Sequence, residues 1–316
     1  MPSNRQIERY VAPIEETPIA AVDAVDESQK ASSVWGDAWK SMRKRWLTWV
    51  CLVLIFVILV AAIVPGLFSH VNPYETPCKL INSLQPPGDG HLFGTDAQGC
   101  DIYSRVVYGT RTSVSVGLLS TIMATVIGGV IGAFAGYYGG WLDSVVSRLG
   151  DIFFAVPSVL GAVVVMSVVP WGRNVLTLSL TLAIFGWPQV ARIMRGAVLT
   201  SKQADYVMSS VALGVSKSKV LLRHVIPNSL APVIVIATVS LGAFIVSEAT
   251  LSFLGIGLGD SVVSWGADIS TAKENLRTNP MLMVYPSAAL AITVLSFLML
   301  GDVVRDALDP KARTRR

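Results

Sequence analysis

Charge is scarce in this chain. Charged residues make up 15% of 316 positions, against about 25% in soluble domains, which excludes a water-facing surface over most of its length. Histidine is nearly absent: His70, His91 and His224 are scattered. The three cysteines, Cys51, Cys78 and Cys100, form no CxxC pair, so no metal site is expected. No GxxxxGK[ST] segment occurs, which removes the phosphate cradle that ATP hydrolysis by this chain would need. Neither GxSxG nor HExxH is present, and no nucleophile–base pair can be assembled. A net charge of +4 is too small to suggest nucleic acid.

What is abundant is apolar sequence: 52% hydrophobic residues and a mean hydropathy of +0.58. A membrane-spanning helix needs roughly 20 apolar residues. Six runs qualify, at about 46–68, 113–136, 151–169, 174–194, 229–254 and 282–303. They predict an all-α, polytopic bundle of six transmembrane helices. Residues 1–34 are polar, lack apolar periodicity and read as a disordered tail. Residues 35–45, WGDAWKSMRKR, form an aromatic and basic collar suited to the headgroup layer, and 46–305 is the membrane domain. A short basic tail, 306–316, closes the chain.

An even number of spans puts both termini on one side. With the N-terminus inside, the inner segments hold Arg43, Lys44, Arg45, Arg148, Arg192, Arg195 and the basic tail. The outer ones hold only Lys79, Arg105, Arg111, Arg173, Lys273 and Arg277. The positive-inside rule therefore places both termini, and the polar insertion 200–228, in the cytoplasm.

That insertion carries the most information. DYVMSSVALGVSKSKVLLRHVIPN, from Asp205 to Asn228, reads as two short amphipathic helices broken at Gly214. Pro227 then opens the next span, where a missing N–H costs little. From spacing alone the insertion is either a loop resting on lipid headgroups or an apolar ridge offered to a cytoplasmic partner.

The other features admit two readings each. In the outer loop, 69–110, Asp101 is a plausible N-cap and Gly109 a plausible stop, giving a short helix lying flat, with Arg105 one turn from Asp101. It is a lid over the bundle or part of a partner's seat. Cys78 and Cys100 share the outer, oxidising side, where they form a disulfide or remain two buried thiols. Cys51 is a packing residue within the first span. Gly128, Gly132 and Gly136 line one helix face and permit close helix–helix approach. Arg148 and Asp151 can pair three residues apart, with Asp143 joining through a turn, as an interfacial ion pair or a hinge latch. Trp187-Pro188 should kink the fourth span, and Arg192 and Arg195 should snorkel to the headgroups. Glu248 in the fifth span either faces the bundle, binding a peptide amine or holding an outer gate, or is solvated at headgroup level.

LGVSKSKVLLRHVIPN resembles the cytoplasmic coupling ("EAA") loop of ABC importer permeases, close to the form in dipeptide and oligopeptide importers. AGYxGGxxDxxxxRxxDxxxAxP, ExxLSFLGxG with SWG, LFGTD…GxD…SR…GxR and the closing GDVVRDALDP are similar to the C-type subunit of that family, over about residues 40–310. The chain departs from the pattern at Met208-Ser209-Ser210, where Glu-Ala-Ala is usual, and at Cys100, where the family usually has Arg. The resemblance implies a type I ABC importer permease architecture in a bacterial cytoplasmic membrane. Its coupling residues would be Asp205, Tyr206, Ser209, Ser210, Leu213, Gly214, His224 and Pro227, docking in a groove of the ATPase. Arg148, Asp151 and Glu248 would be the gate candidates. Implied partners are a second, similar permease, two cytoplasmic ATPase subunits that bind ATP and magnesium, and an extracytoplasmic binding protein. The implied cargo is a dipeptide or oligopeptide, with glutathione or nickel as alternatives. An ion-coupled secondary transporter is the rival class; it would show inverted repeats and broken helices with midplane charges, and no repeat is convincing.

Overall fold

The computed structural model describes residues 34–88, 90–169, 172–259 and 262–308. The tail read as disordered, except its last residue, and the final basic residues lie outside this set, as do Asp260 and Ser261. Within it the chain is helical, and two isolated bridges, Gly88–His91 and Thr95–Asp101, are the extended pairings. The collar forms α1 (Val34–Met42), with Asp37 in its first turn and Lys40 in its last, the arrangement the helix dipole favours. Then follow α2 (Trp46–Ile63), α3 (Ile102–Tyr138), α4 (Gly140–Ala155), α5 (Ser158–Val168), α6 (Val175–Ser201), α7 (Asp205–Ala212), α8 (Lys217–Val220), α9 (Ile226–Phe253), α10 (Trp265–Ala272) and α11 (Met281–Leu308).

Five of these, α2, α3, α6, α9 with its lead-in, and α11, are long and apolar enough to cross a membrane. A sixth crossing exists only if α4 and α5, bent by 88° at their junction, count as one broken span. The run expected at 151–169 is therefore a helix that starts at Gly140 and breaks at Val156-Pro157. The cause is local: proline biases its predecessor away from helical backbone, and Val156 is extended at φ −92°, ψ 121°.

The flat helix expected to stop at Gly109 is also corrected. Asp101 does cap, its carboxylate accepting the Ser104 N–H at 2.7 Å, but α3 runs on unbroken for 37 residues. That is about 55 Å, well beyond a hydrocarbon core of about 30 Å. Gly109 is not a stop; it lets Trp265 approach, since a Cβ there would sit 3.3 Å from Trp265 Cδ1. Helix α6 likewise runs unbroken across Pro188 to Ser201. It starts from a capping box between Asn174 and Thr177.

The α3 and α6 helices pack along their length, with α9 against both and α2 and α11 on the outer side of α3 and α9. Arg111 donates to the Ala62 and Ile63 carbonyls at 2.8 and 2.7 Å, satisfying the open end of α2. Arg45 bonds Asp306 at 2.7 Å, so the start of α2 and the end of α11 lie at the same end of the bundle.

Candidate functional site

The α7–α8 segment has two unlike faces. Val207, Val220, Leu221 and Val225 are buried with Val190, Met194 and Val198 of α6, Ala133 of α3 and Val233 of α9. Burying four such side chains contributes roughly 1.5–3 kcal/mol each, so the segment is fixed to three helices rather than draped over them. Its other face shows Tyr206, Met208, Val211 and Leu213 to solvent, Leu213 at 84% exposure. Gly214 turns the chain at φ +80°, with its N–H on the Val211 carbonyl at 2.9 Å. The second amphipathic stretch is not a separate helix. One α-turn, Lys217–Val220, winds through a π-turn, Leu221–Val225, directly into α9, with Pro227 in the first turn.

Asp205 is exposed at the start of α7. Ser209 and Ser210 spend their hydroxyls on the Asp205 and Tyr206 carbonyls, both at 2.8 Å. The His224 carbonyl accepts the Asn228 amide at 2.7 Å.

Around α4 the ionic pattern differs from the expected one. Arg148 and Asp151 do approach, at 3.7 Å, but both are solvated. Arg192 reaches Asp151 at 3.2 Å and stacks over Phe154, 4.2 Å from the ring centre. Arg195 grips Asp143 with both ends of its fork, Nη2 to Oδ2 at 2.6 Å. The two arginines thus clamp α4 onto α6, and Asp143 joins Arg195, not Arg148. Sequence spacing misses these pairs because their partners lie 41 and 52 residues away.

Of its two expected settings, Glu248 takes the one facing the bundle and is not solvated. It is fully buried. Ser113 of α3 donates to Oε2 and Ser252 to Oε1, each at 3.0 Å. Ser113 Oγ in turn accepts the Trp265 N–H at 3.3 Å. The carboxylate therefore joins α3, α9 and the start of α10.

Alongside it, Arg105 donates to Asp268 through Nε at 2.8 Å and Nη2 at 2.5 Å, and lies 3.8 Å from Asp96. Arg105 thus pairs across to α10 rather than back to Asp101, which bonds His91 at 2.9 Å. Burial pushes the Asp268 carboxyl up, and the guanidinium offsets part of that rise. The Trp265 indole N–H on the Val106 carbonyl, at 2.9 Å, completes the seat of α10 on α3.

Cys78 and Cys100 are joined by a disulfide that closes the long loop before α3. Opening it is expected to cost about 2–4 kcal/mol. In unreduced protein a maleimide should label neither cysteine, and both after reduction; equal labelling before and after reduction would count against the bond. Cys51 is buried and free.

Comparison with known proteins adds the following. Residues 128–314 match the family described as "Binding-protein-dependent transport system inner membrane component". Residues 33–87 match the "N-terminal TM domain of oligopeptide transport permease C". The chain is 37% identical, over 293 residues, to the oligopeptide transport system permease protein OppC of Bacillus subtilis, covering 93% of this chain and 95% of the relative. It is 35% identical, over 92% and 94% of the two chains, to the dipeptide transport system permease protein DppC of Alkalihalophilus pseudofirmus. It is 36% identical, over 88% and 91%, to the glutathione transport system permease protein GsiD of Shigella flexneri.

Proposed function

The chain belongs to the family of binding-protein-dependent transport system inner membrane components, and from that premise we propose that it is the permease subunit of an ATP-driven importer of dipeptides or oligopeptides. It is a multi-pass inner-membrane protein. The observation that carries the mechanism is the two-faced α7–α8 segment: an apolar ridge on α7 in solvent, and a base of Val207, Val220, Leu221 and Val225 packed with residues of α3, α6 and α9. A push on Tyr206 or Leu213 is delivered to three helices at once.

The α7 end is also the basic end, with Arg148, Arg192, Arg195, Lys202, Lys217, Lys219 and Arg223, which supports a cytoplasmic position for it and for both termini. The engine is a pair of ATPase subunits that bind the ridge. A second permease of the same type completes the passage. An extracytoplasmic binding protein docks at the opposite end, where the disulfide-closed loop and α10 sit on α3. The ATPase dimer favours one bundle state only through contacts that differ between states, and α7 is where this chain offers them. Arg148, Asp151 and Arg192, which tie α4 to α6, act as a latch between states.

The test is retention of the ATPase on an affinity-tagged permease. Leu213→Asp removes a large apolar contact worth roughly 1.5–3 kcal/mol and buries a charge in its place. The expected result is normal membrane abundance with ATPase retention at least about tenfold lower. Undiminished retention would end the docking proposal. A second reading, import of glutathione, has support in the 36% identity to GsiD; competition between glutathione and trialanine for uptake decides between them.

A further inference from the structure

A cleft of about 160 Å³ opens between α5, α6 and α9. Phe185, Phe244 and Leu251 form its walls, and Ser158, Ser240, Ser247 and Gln189 are its polar residues. Gln189 is the fifteenth residue of α6, about 20 Å from either end of a helix that crosses the membrane. Its side chain is exposed and, among the described residues, its amide has no hydrogen-bond partner. An unpaired amide at that depth is unfavourable against lipid, so polar groups so placed turn towards protein or a water-filled cavity. None of the eleven residues lining the cleft is ionisable. The nearby acid, Glu248, is sealed away by Ser113 and Ser252.

Building on the peptide-importer reading, we infer that this cleft is the chain's share of the passage, and that Gln189 with Ser158 and Ser247 makes it a neutral filter for peptide backbone. An amide and hydroxyls match backbone N–H and C=O groups, which every peptide carries. The lack of fixed charge keeps acidic and basic side chains from being held or refused. Ser247 already donates to the Ala243 carbonyl at 2.9 Å, so it presents its lone pairs as acceptors.

The test uses the complete transporter in membrane vesicles, with Cys51→Ser as background. Gln189→Cys and Ser247→Cys should react with a water-soluble methanethiosulfonate, and excess trialanine should slow both reactions. Phe56→Cys, on the exposed face of α2, should stay unreactive. In a second arm, Gln189→Arg and Gln189→Glu should shift the uptake ratio of Ala-Lys-Ala to Ala-Glu-Ala in opposite directions, by about tenfold, while Gln189→Asn leaves it unchanged. Cleft cysteines that no aqueous reagent reaches, or a ratio that the charged variants do not move, would overturn the inference. If both charged variants are inactive, the labelling arm decides. ATP-driven uptake by the unsubstituted complex is measured alongside. If that uptake proceeds without ATP, the importer reading has failed instead.

Discussion

Replacing Gly132 with alanine is expected to unseat α3 from α6, while the same change three residues earlier, at Gly129, should be tolerated. A Cβ at Gly132 would lie 2.3 Å from the Ala191 carbonyl oxygen and 2.8 Å from its Cα. Both are backbone atoms, so no side-chain rotation relieves the clash. The neighbours on the stripe face the same wall: Gly128 would meet the Trp187 oxygen at 2.5 Å and Gly136 the Arg195 oxygen at 2.9 Å. Three glycines spaced by four thus oppose three α6 residues spaced by four, a seam that only glycine permits. Overpacking costs typically 1–3 kcal/mol where side chains can yield; here the helices themselves must part, and the loss should be larger. Gly129 has nothing within 4 Å of its Cβ position, and alanine there should gain up to about 1 kcal/mol of helix propensity. Thermal loss of monodisperse detergent-solubilised protein measures both. If Gly132→Ala melts with the wild type, the seam is not as close as described.

How far the sequence foretold this molecule depends on the range of the forces involved. Hydropathy located the spanning helices, and the glycine stripe was visible because its period is that of one helix. Local rules also found the Asp101 cap and the turn at Gly214. They failed where a residue has two uses. Gly109 looks like a stop, but it sits inside a continuous helix and its missing side chain makes room for Trp265, 156 positions later by number. Val156-Pro157 sits inside a continuous apolar run, so a hydropathy window passes over a break of 88°. The ionic network was illegible for a different reason. Arg105 finds Asp268 163 residues on, and Arg195 finds Asp143 on the far side of a broken helix. Glu248 was legible as a suspect, but its setting depended on Ser113 of α3, 135 residues away.

Proline at Gly214 should leave the protein in the membrane at normal abundance and reduce uptake by about a hundredfold or more. Nothing lies within 4 Å of a Cβ at this position, so added bulk is harmless and only backbone conformation matters. Gly214 stands at φ +80°, the left-handed position that commonly ends a helix, whereas proline fixes φ near −65° and has no N–H. The variant therefore loses the bond from the Gly214 N–H to the Val211 carbonyl, 2.9 Å in length. It must send the chain out of α7 in another direction. Val220, Leu221 and Val225 hold the far side of the turn in the core, so the ridge of Tyr206 and Leu213 has to move relative to α6 and α9. The spans are untouched, which is why insertion survives. Two milder changes grade the effect. Asparagine tolerates the left-handed region and should transport nearly as well as wild type. Alanine incurs about 1–2 kcal/mol there, a roughly 5- to 30-fold shift away from the native turn, and should fall between the two. Uptake ordered Gly, Asn, Ala, Pro at constant membrane abundance is the signature of a turn whose conformation aims the ridge. Full uptake by the proline variant would mean that the ridge transmits nothing.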